Sequence, residues 1–113
     1  MYMTSTISSE EFANADEIAS LEASNLLKAM SNESRLMILC RLLEGEKSVS
    51  DLEGMIGLSQ SAISQHLAVL RDNALVNAKR DGQSIHYSLA GDKPKAIIET
   101  LHRIYSDCSD NSE

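Results

Sequence analysis

The sequence of 113 residues has few aromatic side chains, no tryptophan and no long apolar run. With one Phe and three Tyr, its core must be built mainly from Leu, Ile, Met and Ala, which suits packed helices. No apolar stretch approaches the roughly 20 residues that a membrane-spanning helix needs. A chain of this length is expected to form one domain with a modest core, to which dimerisation would add buried area.

The sequence has no signal for export, and its only cysteines are Cys40 and Cys108. Its first residues have neither a basic start nor an apolar segment, so we expect a cytoplasmic protein. In that compartment a cysteine pair is more often redox-active, metal-binding or buried than a permanent disulfide. No nucleotide-binding loop or metalloprotease motif is present, and no acid is placed to orient His66 towards the nearby serines. We therefore expect no enzymatic activity.

The net charge of −7 is unfavourable for nucleic-acid binding, but the acidity is concentrated at the two ends of the chain. Residues 1–33 and 106–113 hold nine acidic side chains and one basic side chain, a net charge of −8. Residues 34–105 hold eight acidic and nine basic side chains, a net charge of +1. The central segment is thus compatible with DNA binding that uses few phosphate contacts and has a shallow salt dependence.

Residues 48–70, with the sequence SVSDLEGMIGLSQSAISQHLAVL, predict two short helices joined by a tight turn. Gly57 can end the first helix in a left-handed conformation, and the Ser59 hydroxyl can cap the second. At 100° per residue, the packed side of the second helix holds Ile63, His66, Leu67 and Leu70. The opposite side holds Gln60, Ser61, Ser64, Ala68 and Arg71.

This uncharged, hydrogen-bonding face suits a helix that lies in the major groove of DNA. The residues expected to contact base edges are Gln60, Ser61, Ser64 and Gln65, whereas Arg71 is expected to contact phosphate. From the pattern alone, an ordinary solvated face on a helical hairpin is an equally good interpretation.

Residues 75–89, with the sequence LVNAKRDGQSIHYSL, predict a β-hairpin that turns at Asp81-Gly82. Asp-Gly between two alternating runs is a strong hairpin signal. A helix-turn-helix followed at once by a hairpin is a winged helix. At the tip of the hairpin, Lys79, Arg80 and Gln83 are expected to reach phosphates or the adjacent minor groove.

The remaining segments predict helices that complete a mainly α fold with one small β-hairpin, in the order α-α-α-α-β-β-α. The first helix is expected from Phe12 to Met30, the second follows a cap at Ser31, and Pro94 lies in the first turn of the last. The domain is assigned to residues 12–108, between a flexible segment at 1–11 and an acidic tail at 109–113. The first and last helices are expected to form the interface of a C2 homodimer.

The chain resembles the ArsR/SmtB bacterial repressors, which are small dimeric winged-helix proteins. The matching pieces are LLKAMSNESRLMILCRLLEGEKSVSDL, GLSQSAISQHLAVLRDNALV and RDGQSIHYSL, and the resemblance covers roughly residues 26–108. It implies a repressor that binds double-stranded DNA at an imperfect inverted repeat and has no resident cofactor.

Within that family the chain is most similar to the sulfide-responsive SqrR/BigR/HlyU branch. One cysteine of that branch lies in the second helix, within a match to RLMILC, and the other follows a match to LHRIY. Cys40 and Cys108 stand at those positions. The resemblance implies that reactive sulfur species or an oxidant link the two thiols and release the repressor from DNA. From the residues alone, core packing is the favoured explanation for Cys40.

The metal sites of the resembled family are not expected here. Ser48 and Ser50 occupy the positions of one cysteine pair, Pro94 occupies a histidine position, and hydroxyls are poor ligands for soft metals. Two alternatives remain open. One is a soft-metal or arsenic-responsive repressor that uses Cys40 and Cys108. The other is a winged-helix protein-interaction module without a DNA target.

Overall fold

A computed structural model describes the backbone of residues 9–111 and the side chains of residues 15–105. Within that range the predicted order of helices and strands is confirmed, with one additional short strand. The elements are α1 Ser9–Met30, α2 Glu33–Leu43, β1 Lys47–Ser48, α3 Val49–Ile56, α4 Gln60–Asp72, β2 Val76–Asp81, β3 Ser84–Leu89 and α5 Asp92–Asn111. None of the helices over residues 9–111 is long and apolar enough to cross a membrane.

Both end helices extend beyond the predicted limits. α1 begins at Ser9 rather than Phe12. α5 continues to Asn111, past the predicted start of the tail. Residues 1–8 and 112–113, which belong to the predicted flexible segment and tail, lie outside the described residues.

The predicted cap of α2 is wrong by one residue. Asn32, not Ser31, is the N-cap, because its side chain accepts a hydrogen bond from the backbone N–H of Arg35 at 3.0 Å. Ser31 belongs instead to the end of α1, where its N–H donates to the carbonyl of Lys28 at 3.2 Å. Amide and hydroxyl side chains cap helices almost equally well, so composition alone does not distinguish adjacent positions.

The hydrophobic core lies among α2, α3, α4, the base of the hairpin and the first half of α5. Four of its side chains come from the predicted apolar faces of α3 and α4 and are fully buried. The core consists of Ala29, Met30, Ile38, Leu39, Leu42, Leu52, Ile63, Leu67, Leu70, Leu75, Val76 and Ile98.

Local caps fix the turn between α3 and α4. Gly57 has the left-handed conformation predicted for it (φ 87°), and Ser59 Oγ accepts from the N–H of Ala62 at 3.1 Å. α3 also begins with a capping box, which was not predicted. Ser48 Oγ accepts from the Asp51 N–H, and an Asp51 carboxylate oxygen accepts from the Ser48 N–H, both at 3.0 Å.

α4 ends in a Schellman motif, with Ala74 at the left-handed position. The N–H of Leu75 donates to the carbonyl of Leu70, and the N–H of Ala74 donates to the carbonyl of Arg71. Ala74 has φ 60°, a region that usually favours glycine. This strained residue sets the direction of the chain from α4 into the hairpin.

The hairpin is the wing, and its turn lies one residue later than predicted. Asp81 pairs with Ser84 as the last pair of β2 and β3, so the loop is Gly82-Gln83 rather than Asp81-Gly82. Gly82 has φ 67°, which explains why glycine is needed there. β1 pairs antiparallel with β3 and completes a sheet in the order β1-β3-β2. On β2 only Val76 is buried and the other residues are exposed, whereas most of β3 is half-buried, with Tyr87 and Leu89 packed against the core.

Candidate nucleic-acid interface

The recognition helix α4 has a fully buried side and an exposed polar side, as its sequence predicts. Ile63, Leu67 and Leu70 have no exposed surface. The side chains of the opposite row are all exposed, namely Gln60, Ser61, Ser64, Gln65, Ala68 and Arg71. Within the described residues, no hydrogen bond or ion pair engages the polar groups of this row.

The wing places three further polar side chains in solvent. Arg80 is exposed and has no ion pair within residues 15–105, and Gln83 lies in the loop at the tip. Lys79 differs, because its Nζ is 3.8 Å from Glu46 Oε2 in the segment before β1. The Lys79 side chain is 72% exposed, so this pair is weak and leaves the ammonium group available to phosphate.

The recognition helix is positioned from behind by α2 and α3. α3 packs against α4 across the capped turn, and Leu52 of α3 and Leu39 of α2 are fully buried in the same core. Because both α4 termini are capped and its inner side is buried, its outer row is presented by a rigid element. Such an arrangement is what specific contact with base edges requires.

His66 lies at the edge of the packed side and is half-buried, as expected for a structural histidine. Its Nδ1 is 3.5 Å from Nη1 of Arg35 on α2. Burial, and secondly the positive charge of Arg35, lower the pKa of His66. This contact between sequence-distant residues was not predicted.

Cys40 is a free, half-buried cysteine on α2 that packs against the core. Burial raises the pKa of its thiol; Arg41 opposes this effect and Glu44 adds to it. Cys108 lies within α5, which packs against α2, but its side chain is outside the described residues. The structure therefore places the two cysteines on neighbouring helices.

Over residues 15–105, no group of three or more His, Cys, Asp or Glu side chains is arranged to hold a metal ion. Ser48, at one position where the resembled metal sensors have a thiol, uses its hydroxyl to cap α3. A capping hydroxyl is not free to bind a soft ion, which it would bind poorly in any case.

α1 and the second half of α5 expose large apolar side chains in the single chain. They are Ile18, Leu21, Leu27, Ile104 and Tyr105, with exposed fractions between 51% and 70%. The large apolar side chains of α5 therefore fall into two groups. Ile98 is fully buried in the core, whereas Ile104 and Tyr105 are exposed.

Comparisons with known proteins agree with this architecture. Residues 32–78 match the family described as bacterial regulatory protein, arsR family. The chain is 54% identical over 86 residues to the transcriptional activator HlyU of Vibrio cholerae, covering 76% of this chain and 80% of the relative. It is 42% identical over 84 residues to a biofilm growth-associated repressor of Xylella fastidiosa, covering 74% of each chain.

Solved structures give the same result. The structure of reduced HlyU from Vibrio cholerae has a TM-score of 0.78 and 52% identity, covering 80% of this chain and 96% of that chain. The structure of the transcriptional repressor BigR from Xylella fastidiosa has a TM-score of 0.74 and 39% identity, covering 82% and 95%. These proteins regulate transcription, which agrees with the expectation that the chain is not an enzyme. The chain belongs to the arsR family of bacterial regulatory proteins, in the branch that includes HlyU and BigR.

Proposed function

We propose that the protein is a homodimeric, sequence-specific repressor that acts in the cytoplasm and binds an imperfect inverted repeat in double-stranded DNA. The observation that carries this proposal is the exposed row of α4, whose polar groups have no partners within the described residues. Exposed apolar side chains on α1 and α5 support a C2 dimer. Such a dimer would present two recognition helices about one turn of DNA apart, ~34–36 Å, or a multiple of that distance.

In this proposal Gln60, Ser61, Ser64 and Gln65 contact base edges, while Arg71 and the wing residues Lys79, Arg80 and Gln83 contact the backbone or the minor groove. Glutamine can bind adenine through two hydrogen bonds, and serine hydroxyls accept from or donate to several bases. Contacts from the wing orient the dimer on the duplex without reading sequence. Repression follows where the bound site overlaps a promoter.

The test is a gel shift with the DNA upstream of the protein's own gene, followed by footprinting. Ser64→Ala or Gln60→Ala should each weaken operator binding by about 1–3 kcal/mol while the protein stays dimeric. Thr100→Ala, which removes an exposed hydroxyl on α5, is the matched control and should bind like wild type. Equal binding by wild type, Ser64→Ala and Gln60→Ala would contradict base reading and favour a protein-interaction module.

The phosphate contacts have a separate signature. Arg80→Ala should weaken binding to all sequences and reduce the slope of log affinity against log salt by about one. Arg103→Ala removes the same charge from an exposed position on α5, outside α4 and the wing, and is the control. An unchanged salt slope for Arg80→Ala would remove the wing from the proposed interface.

We further propose that joining Cys40 to Cys108 through added sulfur releases the repressor. Each thiol would take sulfur from a persulfide donor, Cys-SH + RSSH giving Cys-SSH + RSH. Two cysteine persulfides would then condense to Cys-S-S-S-Cys with loss of H₂S. The placement of the cysteines on two packed helices supports this reaction. A relative solved in a state described as reduced is also consistent with redox chemistry in this branch.

The link would connect α2, which packs behind the recognition helix, to α5, which belongs to the proposed dimer interface. A hundredfold loss of operator affinity needs only about 2.7 kcal/mol of differential stabilisation, which one covalent bridge can impose. A direct disulfide requires Cα atoms within about 7 Å, whereas added sulfur atoms span a longer gap.

The switch is tested with persulfide donors, peroxide and arsenite on wild type, Cys40→Ser and Cys108→Ser. We expect persulfide to release wild-type protein from DNA and to add sulfur mass between the two cysteines. Both serine variants should stay bound. If either variant still responds fully, Cys40 is a packing residue; release by stoichiometric arsenite would instead support a soft-metal sensor.

A further inference from the structure

Arg35 joins three helices at one point of the fold. Its backbone N–H donates to Asn32 at the start of α2, and its Nε donates to the carbonyl of Ala29 near the end of α1 at 2.5 Å. Its Nη1 lies 3.5 Å from Nδ1 of His66 on α4. The last carbonyls of a helix have no intrahelical partners, so Arg35 also satisfies an acceptor that α1 would leave open.

A hydrogen bond at this contact is compatible with one protonation state of His66. Because an arginine can only donate hydrogen bonds, Nδ1 of His66 must then accept with a lone pair, and the ring is then neutral with its proton on Nε2. Protonation would place a second cation against Arg35 and remove the acceptor. Among the elements packed against α4, α2 supplies the charge of Arg35. Over the described residues α1, α3 and β2 supply no charge that acts on His66.

His66 is also next to the residues proposed to read bases. Ser64 and Gln65 precede it on the same helix, so a rotation of α4 about its axis moves them with His66. Side-chain tips lie about 5–6 Å from a helix axis, so a rotation of about 10° displaces them by about 1 Å. A displacement of that size is enough to lengthen a hydrogen bond to a base edge beyond its useful range.

We propose that Arg35 and His66 are positioning residues for DNA binding, which hold the recognition helix to the corner formed by α1 and α2 while His66 is neutral. Protonation of His66 opens this contact, and operator affinity then falls in mild acid. The inference rests on the DNA-binding function proposed above and adds a regulated contact to it.

The expected fall of operator affinity in acid is opposite to the general electrostatic trend. Acidification makes a protein more positive and normally strengthens binding to DNA. A loss of affinity in acid therefore indicates an internal contact such as that of His66.

The experiment measures operator affinity at constant salt from about pH 7.5 to about pH 5.5, which spans histidine titration. Wild type should lose about tenfold in affinity across this range, equivalent to about 1.4 kcal/mol. His66→Asn places an amide oxygen near the position of Nδ1 and cannot be protonated, so it should bind like wild type at neutral pH without weakening in acid. His86→Asn is the control and should keep the acid weakening.

Two further variants separate positioning from mere stability. His66→Leu keeps the packing but loses the acceptor, and Arg35→Lys keeps the charge but cannot reach both acceptors at once. Both variants should bind the operator about tenfold more weakly than wild type at neutral pH, whereas His66→Asn should bind it like wild type. Circular dichroism establishes which variants are folded. If none folds, ¹⁵N shifts of the wild-type ring decide, and a protonated or Nδ1–H ring at neutral pH overturns the proposal.

The outcomes distinguish this proposal from the proposed function. If wild type binds its operator and His66→Asn shows the same pH profile as wild type, the positioning role is wrong and the repressor function stands. If wild type binds no upstream sequence at any pH, the DNA-binding function itself is wrong.

Discussion

The reading head, which comprises α3, α4 and the wing, buries most of its apolar side chains within one chain, whereas α1 and the second half of α5 expose several large ones. Leu52, Ile63 and Leu67 are fully buried, while Leu21 and Ile104 are 63% and 51% exposed. A single exposed apolar residue is ordinary, but several large ones on two helices indicate an interface. We infer that the reading head depends on contacts within one chain and that the frame formed by α1 and α5 depends on a second copy.

The largest expected effect comes from breaking the frame. Ile104→Glu places a charge in the proposed interface, where it would be buried without a partner, so the dimer should dissociate. A monomer engages only one half-site, and operator affinity should fall by about a hundredfold or more. Light scattering after size-exclusion chromatography gives the oligomeric state, and a gel shift gives the affinity.

Two substitutions outside the frame sharpen this test. Met55→Glu alters an exposed apolar side chain of α3, which is 44% exposed, and should leave the dimer intact. Leu67→Ala, in the core of the reading head, should instead lower the free energy of unfolding by about 2–5 kcal/mol. If Ile104→Glu remains dimeric at micromolar concentration, the frame formed by α1 and α5 is not the dimer interface.

Local signals made much of the reading head predictable. The left-handed conformation at Gly57 and the cap at Ser59 depend on residues a few positions away, and the inner and outer faces of α4 follow from helical periodicity. The resemblance supplied the family, which the comparisons confirm. The small errors, a cap moved by one residue and a turn moved by one residue, occur where adjacent residues suit the same position.

Contacts between distant parts of the chain were not predictable in this way. Arg35 meets Ala29 and His66, and Lys79 meets Glu46, because the packing of helices and strands brings them together. Periodicity assigns a residue to a face but does not identify its partner. The role of the cysteines remains a prediction for the same reason, since it depends on a distance between two helices.

A smaller effect is expected at the junction between α4 and the wing. Ala74→Gly should stabilise the fold, because a non-glycine residue in the left-handed region costs about 1–2 kcal/mol. The added freedom of glycine in the unfolded chain offsets about 0.4–1 kcal/mol of that gain. The net increase in the free energy of unfolding should thus lie between about 0 and about 1.6 kcal/mol, measured by urea denaturation.

The same substitution in the body of α4 is the control. Ala68→Gly, at an ordinary helical position, should lower the free energy of unfolding by about 1 kcal/mol. Opposite signs for the two changes would support strain at Ala74. A loss of stability in both would mean that the left-handed residue is tolerated without cost.

The smallest expected effect concerns the capping box at the start of α3. The pKa of Asp51 is lowered, first by the backbone N–H of Ser48 and next by the Ser48 side chain, with smaller contributions from His86 and Lys47. The pKa of Asp51 is lower in the folded chain than its ordinary value of 3.8, which applies to the unfolded chain. The ionised carboxylate therefore stabilises the fold at pH values above 3.8. That contribution is lost as the pH falls through the pKa of the folded state.

Asp51→Asn removes the charge and keeps an amide oxygen that can accept from the N–H of Ser48. Its melting temperature should lie slightly below that of wild type at neutral pH, and the difference should shrink as the pH falls below about 3.8. Because Asp51 is fully exposed and its largest effects come from hydrogen bonds, added salt should leave most of the difference in place. If the difference vanishes in added salt, the effect comes from the charges of His86 on β3 and Lys47 on β1. The start of α3 would then be stabilised by electrostatic attraction to the sheet rather than by hydrogen bonds within its own first turn.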